Sequence, residues 1–90
     1  MPGVIYSEEA LAEVDRLEQA APGAASLIEG AVSVLDANPC IGRSVEHDLR
    51  ELVISRGKTG YVALYDYDDE FDEVIVVAVR HQREAGYVVD

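Results

Sequence analysis

Ninety residues, 49% of them hydrophobic, with a formal net charge of −11, make one small globular domain (residues 1–90) and exclude a disordered chain or a second domain. The single cysteine, Cys40, excludes an internal disulfide, so packing alone must hold the fold, as is usual in a reducing cytosol. The negative charge excludes a surface attracted as a whole to nucleic acid or to anionic lipid.

The run VIY at residues 4–6 reads as a first strand. Ser7 then opens a helix: it is an N-cap residue type, Glu8 and Glu9 suit the positive end of the helix dipole, and Ala10, Leu11, Val14, Leu17 and Ala21 recur at spacings of three and four. Pro22 and Gly23 end it. A second helix is expected over residues 24–37, with Leu27, Ile28, Ala31, Val34 and Leu35 on one face and Gly30 as a point of close helix approach. Asn38 and Pro39 stop it. Cys40 is expected to be a small buried hydrophobe.

After an irregular CIGRSVEHD stretch the pattern changes to β. LRELVISR (49–56), YVALYDY (61–67) and VIVVAVRH (74–81) read as three strands. GKTG and the acidic DDEFDE join them closely enough for hairpins, so the three form an antiparallel meander. The element order gives an α+β fold: an N-terminal strand and a helical hairpin, with the two helices covering one face of a four-stranded sheet. The last strand alternates Val74, Val76 and Ala78 with Ile75, Val77 and Val79, apolar on both sides. Its second face therefore calls for the C-terminal tail, self-association or a protein partner. The longest apolar run, Val74–Val79, is far too short to cross a bilayer, and no signal-peptide pattern opens the chain, so the expected location is the cytoplasm, with no membrane partner.

The charge is unevenly spread. Residues 1–40 carry −6 and residues 65–73 another −6, whereas residues 41–64 carry +1 and residues 74–90 are neutral, so six of the seven basic residues lie outside the two acidic regions. Arg56 and Lys58 close the first hairpin, and Arg80, His81 and Arg83 leave the last strand with Tyr87 beyond. On a strand His81 and Arg83 point one way and Arg80 the other. In a meander the ends of the first and third strands meet, so these residues, with Tyr61, can share one edge of the sheet. Guanidinium groups that hold phosphate bidentately, an imidazole that titrates near neutrality and a phenol are a set able to cleave RNA by in-line transfer. The alternative is structural, with the arginines pairing with carboxylates such as Glu51 or Glu84 and His81 a polar strand terminus. DYDDEFDE lacks the glycine and terminal glutamate of a calcium loop and reads as a solvated turn. His47 reads as a surface loop residue, and Cys40 and the histidines have no metal-ligand spacing. Tyr61, Tyr65 and Tyr67 alternate on one strand face, where they can stack on bases or pack against the helices or a partner.

VIYS opening the first helix, NPCIGR after the second, LRELVISRGKTGYVALYDY and VRHQREAGY together resemble the RelE/ParE superfamily, the toxin halves of type II toxin–antitoxin pairs. The resemblance covers essentially the entire chain. It implies a helical hairpin on an antiparallel sheet and an antitoxin whose segment wraps the toxin. RelE-like members cleave mRNA in the ribosomal A site, using basic residues on the central strands and an Arg or His and a Tyr near the C-terminus; ParE-like members poison DNA gyrase and generally lack that set. By this resemblance Arg56, Arg80 and Arg83 hold phosphate, His81 or Tyr87 transfers protons, and Lys58 and Tyr61 contact RNA. The implied partners are a cognate antitoxin with the ribosome and mRNA, or DNA gyrase in the alternative. A third alternative is an inactive relative that only binds protein. No cofactor or metal is implied.

Overall fold

A computed structural model describes residues 3–54 and 60–82. Strand β1 (Gly3–Tyr6) leads into helix α1 (Glu8–Ala20), whose first turn is capped by Ser7: its hydroxyl accepts from the Ala10 N–H at 3.0 Å. Helix α2 (Ala24–Val32) tightens into a 3₁₀ turn at Ser33–Asp36. Its N-terminus has no side-chain cap of its own. Glu18 of α1 supplies one, accepting from the backbone N–H of Gly23 and Ala25, and these two bonds hold its carboxyl below the ordinary glutamate range. Gly23 sits at φ 100°, the left-handed conformation that lets the chain reverse directly from α1 into α2.

The sheet has five strands in the order β1-β5-β4-β3-β2, from β2 (Arg43–Ser44), β3 (Arg50–Val53), β4 (Tyr61–Asp68) and β5 (Glu73–His81). The hairpin pairs β3–β4 and β4–β5 are antiparallel as expected, but β1 runs parallel to β5, so the sheet is mixed and not purely antiparallel. Tight turns dictate the direction of the later strands, whereas a connection containing two helices can return the chain to either end of a sheet. The fifth strand is the two-residue β2, reached through a reversal at Glu46–Asp48 that places His47 and Asp48 at φ 64° and 60°. Propensity gives no sign of so short a pairing.

Ala10, Val14 and Leu17 of α1 and Ala24, Ile28, Val32 and Leu35 of the second helical segment pack on Tyr61, Ala63, Tyr65, Val74, Val76 and Val79. Leu11, Leu27 and Val34, expected inside, are exposed. The buried positions 24, 28 and 32 follow a strict four-residue step, and the 3₁₀ turn then rotates Leu35 rather than Val34 inward. A Cβ at Gly30 would meet nothing within 4 Å, so that glycine mediates no close helix approach, and Cys40 is exposed rather than buried.

Strand β5 also departs from simple alternation. Leu64 pairs with Ala78 but Tyr65 with Val76, leaving Val77 as the extra residue of a β-bulge. Val74, Val76 and Val79 consequently share the helix-covered face, and the neighbours of Val79 are re-aimed in turn. By register the opposite face carries Val53, Val62, Leu64, Ile75 and Ala78 interleaved with Glu51, Asp66 and Arg80; Val62 and Ala78 are buried and the other apolar residues half-buried, so the second face is apolar in part.

The NPCIGR loop is tied down by two residues of the sheet. Tyr65 reaches through the core so that its hydroxyl accepts from Gly42 N–H at 2.8 Å, and Arg50 donates to the carbonyls of Gly42 and Cys40 at 2.9 and 3.2 Å. Any Cβ at Gly42 would lie 2.6 Å from the Tyr65 hydroxyl and 2.9 Å from the Glu51 carbonyl, which is the reason for glycine there.

Candidate functional site

The ends of β3, β4 and β5 converge as expected from the meander: Ile54 N–H donates to Tyr61 O and Gln82 N–H to Gly60 O, each at 2.9 Å. Tyr61 faces His81 across the β4–β5 ladder, and Val62 faces Arg80. The bulge at Val77 decides this arrangement. Without it, His81 would share a face with Ile75; with it, His81 lies on the face of Val79, where its ring meets Tyr61 edge to face at a centroid distance of 5.7 Å and an interplanar angle of 82°. Tyr61 is only 5% exposed, so it serves as a wall of the core against which the half-buried imidazole is oriented.

Arg80, next in sequence, faces the other side of the sheet from this pair, and its guanidinium lies at the outer edge of β5, 3.5 Å from the carboxylate of Glu13. Glu13 is a residue that sequence reasoning did not find. Strand β1 pairs with β5 only from Glu73 to Val76, so among the described residues the outer edge of β5 from Val77 onward has no neighbouring strand. Helix α1 closes that edge. Ser7 N–H donates to Val76 O at 2.9 Å, the Ser7 hydroxyl donates to the carbonyl of the bulged Val77 at 3.3 Å, and Glu13 Oε1 accepts from Val79 N–H at 3.0 Å. These contacts join residues 66 to 70 positions apart. No local pattern announces them.

Tyr61, Arg80 and His81 thus lie at one end of the sheet, Tyr61 and His81 on the helix-covered face and Arg80 on the other, while Arg56, Lys58, Arg83 and Tyr87 lie outside the described residues. The other arginines of the sheet are engaged within the chain: Arg43 pairs with Glu51 at 3.0 Å and Arg50 holds the NPCIGR carbonyls. Among the described residues two open grooves lie elsewhere. One, of about 270 Å³, is apolar and runs between β1 and the helices along Val4, Tyr6, Val14 and Val32; burial, aided by Glu29, raises the Tyr6 phenol above its ordinary range. The other, of about 330 Å³, is polar and lined by Ser44, Asp48, Arg50, Tyr67 and Asp69. The DDEFDE turn is exposed as expected, and the Tyr67 hydroxyl donates to Asp72 at 2.9 Å. Among the described residues no cluster of histidine, cysteine and carboxylate side chains could hold a metal, and no helix is long and apolar enough to cross a membrane.

The fold is that of several solved toxin–antitoxin proteins. A chain of the RelBE2 toxin–antitoxin complex from Mycobacterium tuberculosis superposes with a TM-score of 0.69 at 24% identity, covering 90% of this chain and 99% of that one. A chain of the intact E. coli RelBE complex gives a TM-score of 0.68 at 17% identity, over 90% and 96% of the two chains. A chain of the chromosomal ParDE system of P. aeruginosa gives 0.62 at 18% identity, over 90% and 96%. At these identities the likeness establishes the fold alone. No curated protein sequence matches the chain. The profile of one family, described as the ParE toxin of the type II toxin–antitoxin system parDE, matches residues 4–86. Matched over nearly its whole length, the chain belongs to this family of type II toxins.

Proposed function

We propose that the protein arrests growth by cutting ribosome-bound mRNA and that a cognate antitoxin neutralises it. The observation carrying this reading is the contact of His81 with Tyr61, with Arg80 at the same end of the sheet. RNA cleavage by in-line transfer needs a base to take the 2′-hydroxyl proton, cations to stabilise the phosphorane, and an acid to protonate the leaving oxygen. His81, oriented by Tyr61, suits proton transfer in concert with Tyr87; Arg80 with Arg56 and Arg83 suits the phosphate; and Lys58 steers the RNA. The antitoxin follows from membership of a toxin–antitoxin family, supported by the solved RelBE and ParDE complexes of like fold. The half-buried apolar residues of the sheet's second face, Leu64 and Ile75 among them, offer it a surface to cover.

A second reading, a non-enzymatic gyrase inhibitor, is favoured by two observations: the family description names ParE, and a net charge of −11 suits a protein target better than the polyanionic ribosome. The two separate by experiment. Replacing His81, Arg83 and Tyr87 together with Ala is expected to abolish toxicity while antitoxin binding persists. Toxicity that survives in this triple variant would remove the nuclease reading.

A further inference from the structure

We propose that Glu13 is a positioning residue for Arg80, holding its guanidinium at the outer edge of β5 for the phosphate of the RNA; the role rests on the nuclease reading above. The carboxylate is anchored independently of Arg80. Glu13 Oε1 takes the Val79 N–H at 3.0 Å, the side chain is 13% exposed, and α1 is fixed along the same strand edge by both the backbone and the hydroxyl of Ser7. Oε2 is then left directed at Arg80 Nη2, 3.5 Å away.

Three consequences follow from that geometry. Arg80 is 41% exposed and is touched on one terminal nitrogen, so its other N–H groups remain available to a bidentate anion. The distance exceeds a tight charge-assisted hydrogen bond, so Glu13 orients the guanidinium without saturating it. The arginine also sits next in sequence to the imidazole that Tyr61 orients, so the proton-transfer group and the phosphate-holding group are each set by a separate contact. Without the carboxylate a long arginine side chain would sample many rotamers, and catalysis falls steeply with misplacement of about an ångström.

Glu13→Gln isolates the role, because its amide oxygen still accepts from Val79 N–H while the negative charge facing Arg80 is lost. The experiment measures single-turnover cleavage of ribosome-bound mRNA by wild type, Glu13→Gln, Arg80→Ala and the double variant, with thermal unfolding of each. Alongside, NMR follows the Arg80 side-chain Nε–Hε signal in wild type and Glu13→Gln. The expected result is a cleavage rate lowered ~10-fold or more in Glu13→Gln, no further loss when it is added to Arg80→Ala, an unchanged unfolding temperature, and an Nε–Hε signal moved toward the free-arginine position. Glu13→Gln cleaving at the wild-type rate, or additive losses in the double variant, would overturn the proposal. If wild type cuts no RNA, the nuclease reading fails and Glu13's role with it. The NMR arm distinguishes that failure from failure of the clamp, since the Arg80 signal would still move in Glu13→Gln; an unmoved signal sinks the clamp itself.

Discussion

Replacing Ser7 with Ala removes two interactions with one hydroxyl. The first is the N-cap acceptor for Ala10 N–H at 3.0 Å, whose loss costs about 1 kcal/mol. The second is the donor to the carbonyl of the bulged Val77 at 3.3 Å, a longer bond between partly buried groups and worth about 0.5 kcal/mol. Together they predict a loss of about 1.5 kcal/mol, which in a chain of this size lowers the unfolding temperature by about 6–12 °C. Ser7→Asp separates the two contributions. Aspartate caps a helix as well as serine, but its ionised carboxylate has no proton to give Val77 and faces that carbonyl oxygen with like charge. It should therefore regain the cap alone and fall between wild type and Ser7→Ala. Urea denaturation at neutral pH, with equal slopes for the three proteins, gives the differences directly. A Ser7→Ala protein within 0.3 kcal/mol of wild type, a margin well below the ~1 kcal/mol of a cap alone, would refute the reasoning. So would Ser7→Asp matching wild type in full, because the bond to the bulge would then carry nothing.

Gly42→Ala forces a methyl group against the Tyr65 hydroxyl and the Glu51 carbonyl and should lower stability by about 1–3 kcal/mol, measured by thermal unfolding. Tyr65→Phe leaves the buried Gly42 N–H without its acceptor, for a loss of about 1–3 kcal/mol by urea denaturation, and hydrogen exchange at Gly42 should speed up selectively. Glu18 has a folded-state pKa below its unfolded one, so the stability it contributes is present above the ordinary glutamate range and is lost as pH falls through that range and then through the lowered value. The acid-side decline in unfolding temperature should accordingly be shallower in Glu18→Gln than in wild type. Tyr61→Leu keeps an apolar wall but removes the ring edge, and should reduce toxicity while expression and antitoxin binding persist, as scored by growth after induction.

The legible part of this fold is the part written in local patterns. Ser7 with Glu8 and Glu9, the Pro22-Gly23 break, and three β-rich runs joined by short turns place the helices and the meander, because caps, breakers and hairpins act within a few residues. The direction of β1, the two-residue β2 and the bulge at Val77 are set by pairings distant in sequence, and no periodicity encodes them. The bulge matters most for function. Strict alternation assigns Val79 and His81 to the face of Ile75, and a single unpaired residue moves both to the core side, where His81 finds Tyr61. The candidate site was legible as a list of residue types at one sheet end. Glu13 was not, since a glutamate in the middle of an acidic helix reads as one more solvated charge until the strand edge beside it is seen.

Primer extension on total RNA from cells expressing the wild-type chain without its antitoxin tests the central claim most directly. The account predicts new 5′ ends within coding sequence on translated messages, appearing as growth stops and absent when His81, Arg83 and Tyr87 are all Ala. Intact messages in arrested cells, accompanied by DNA breaks and an SOS response, would contradict it and place the target at gyrase.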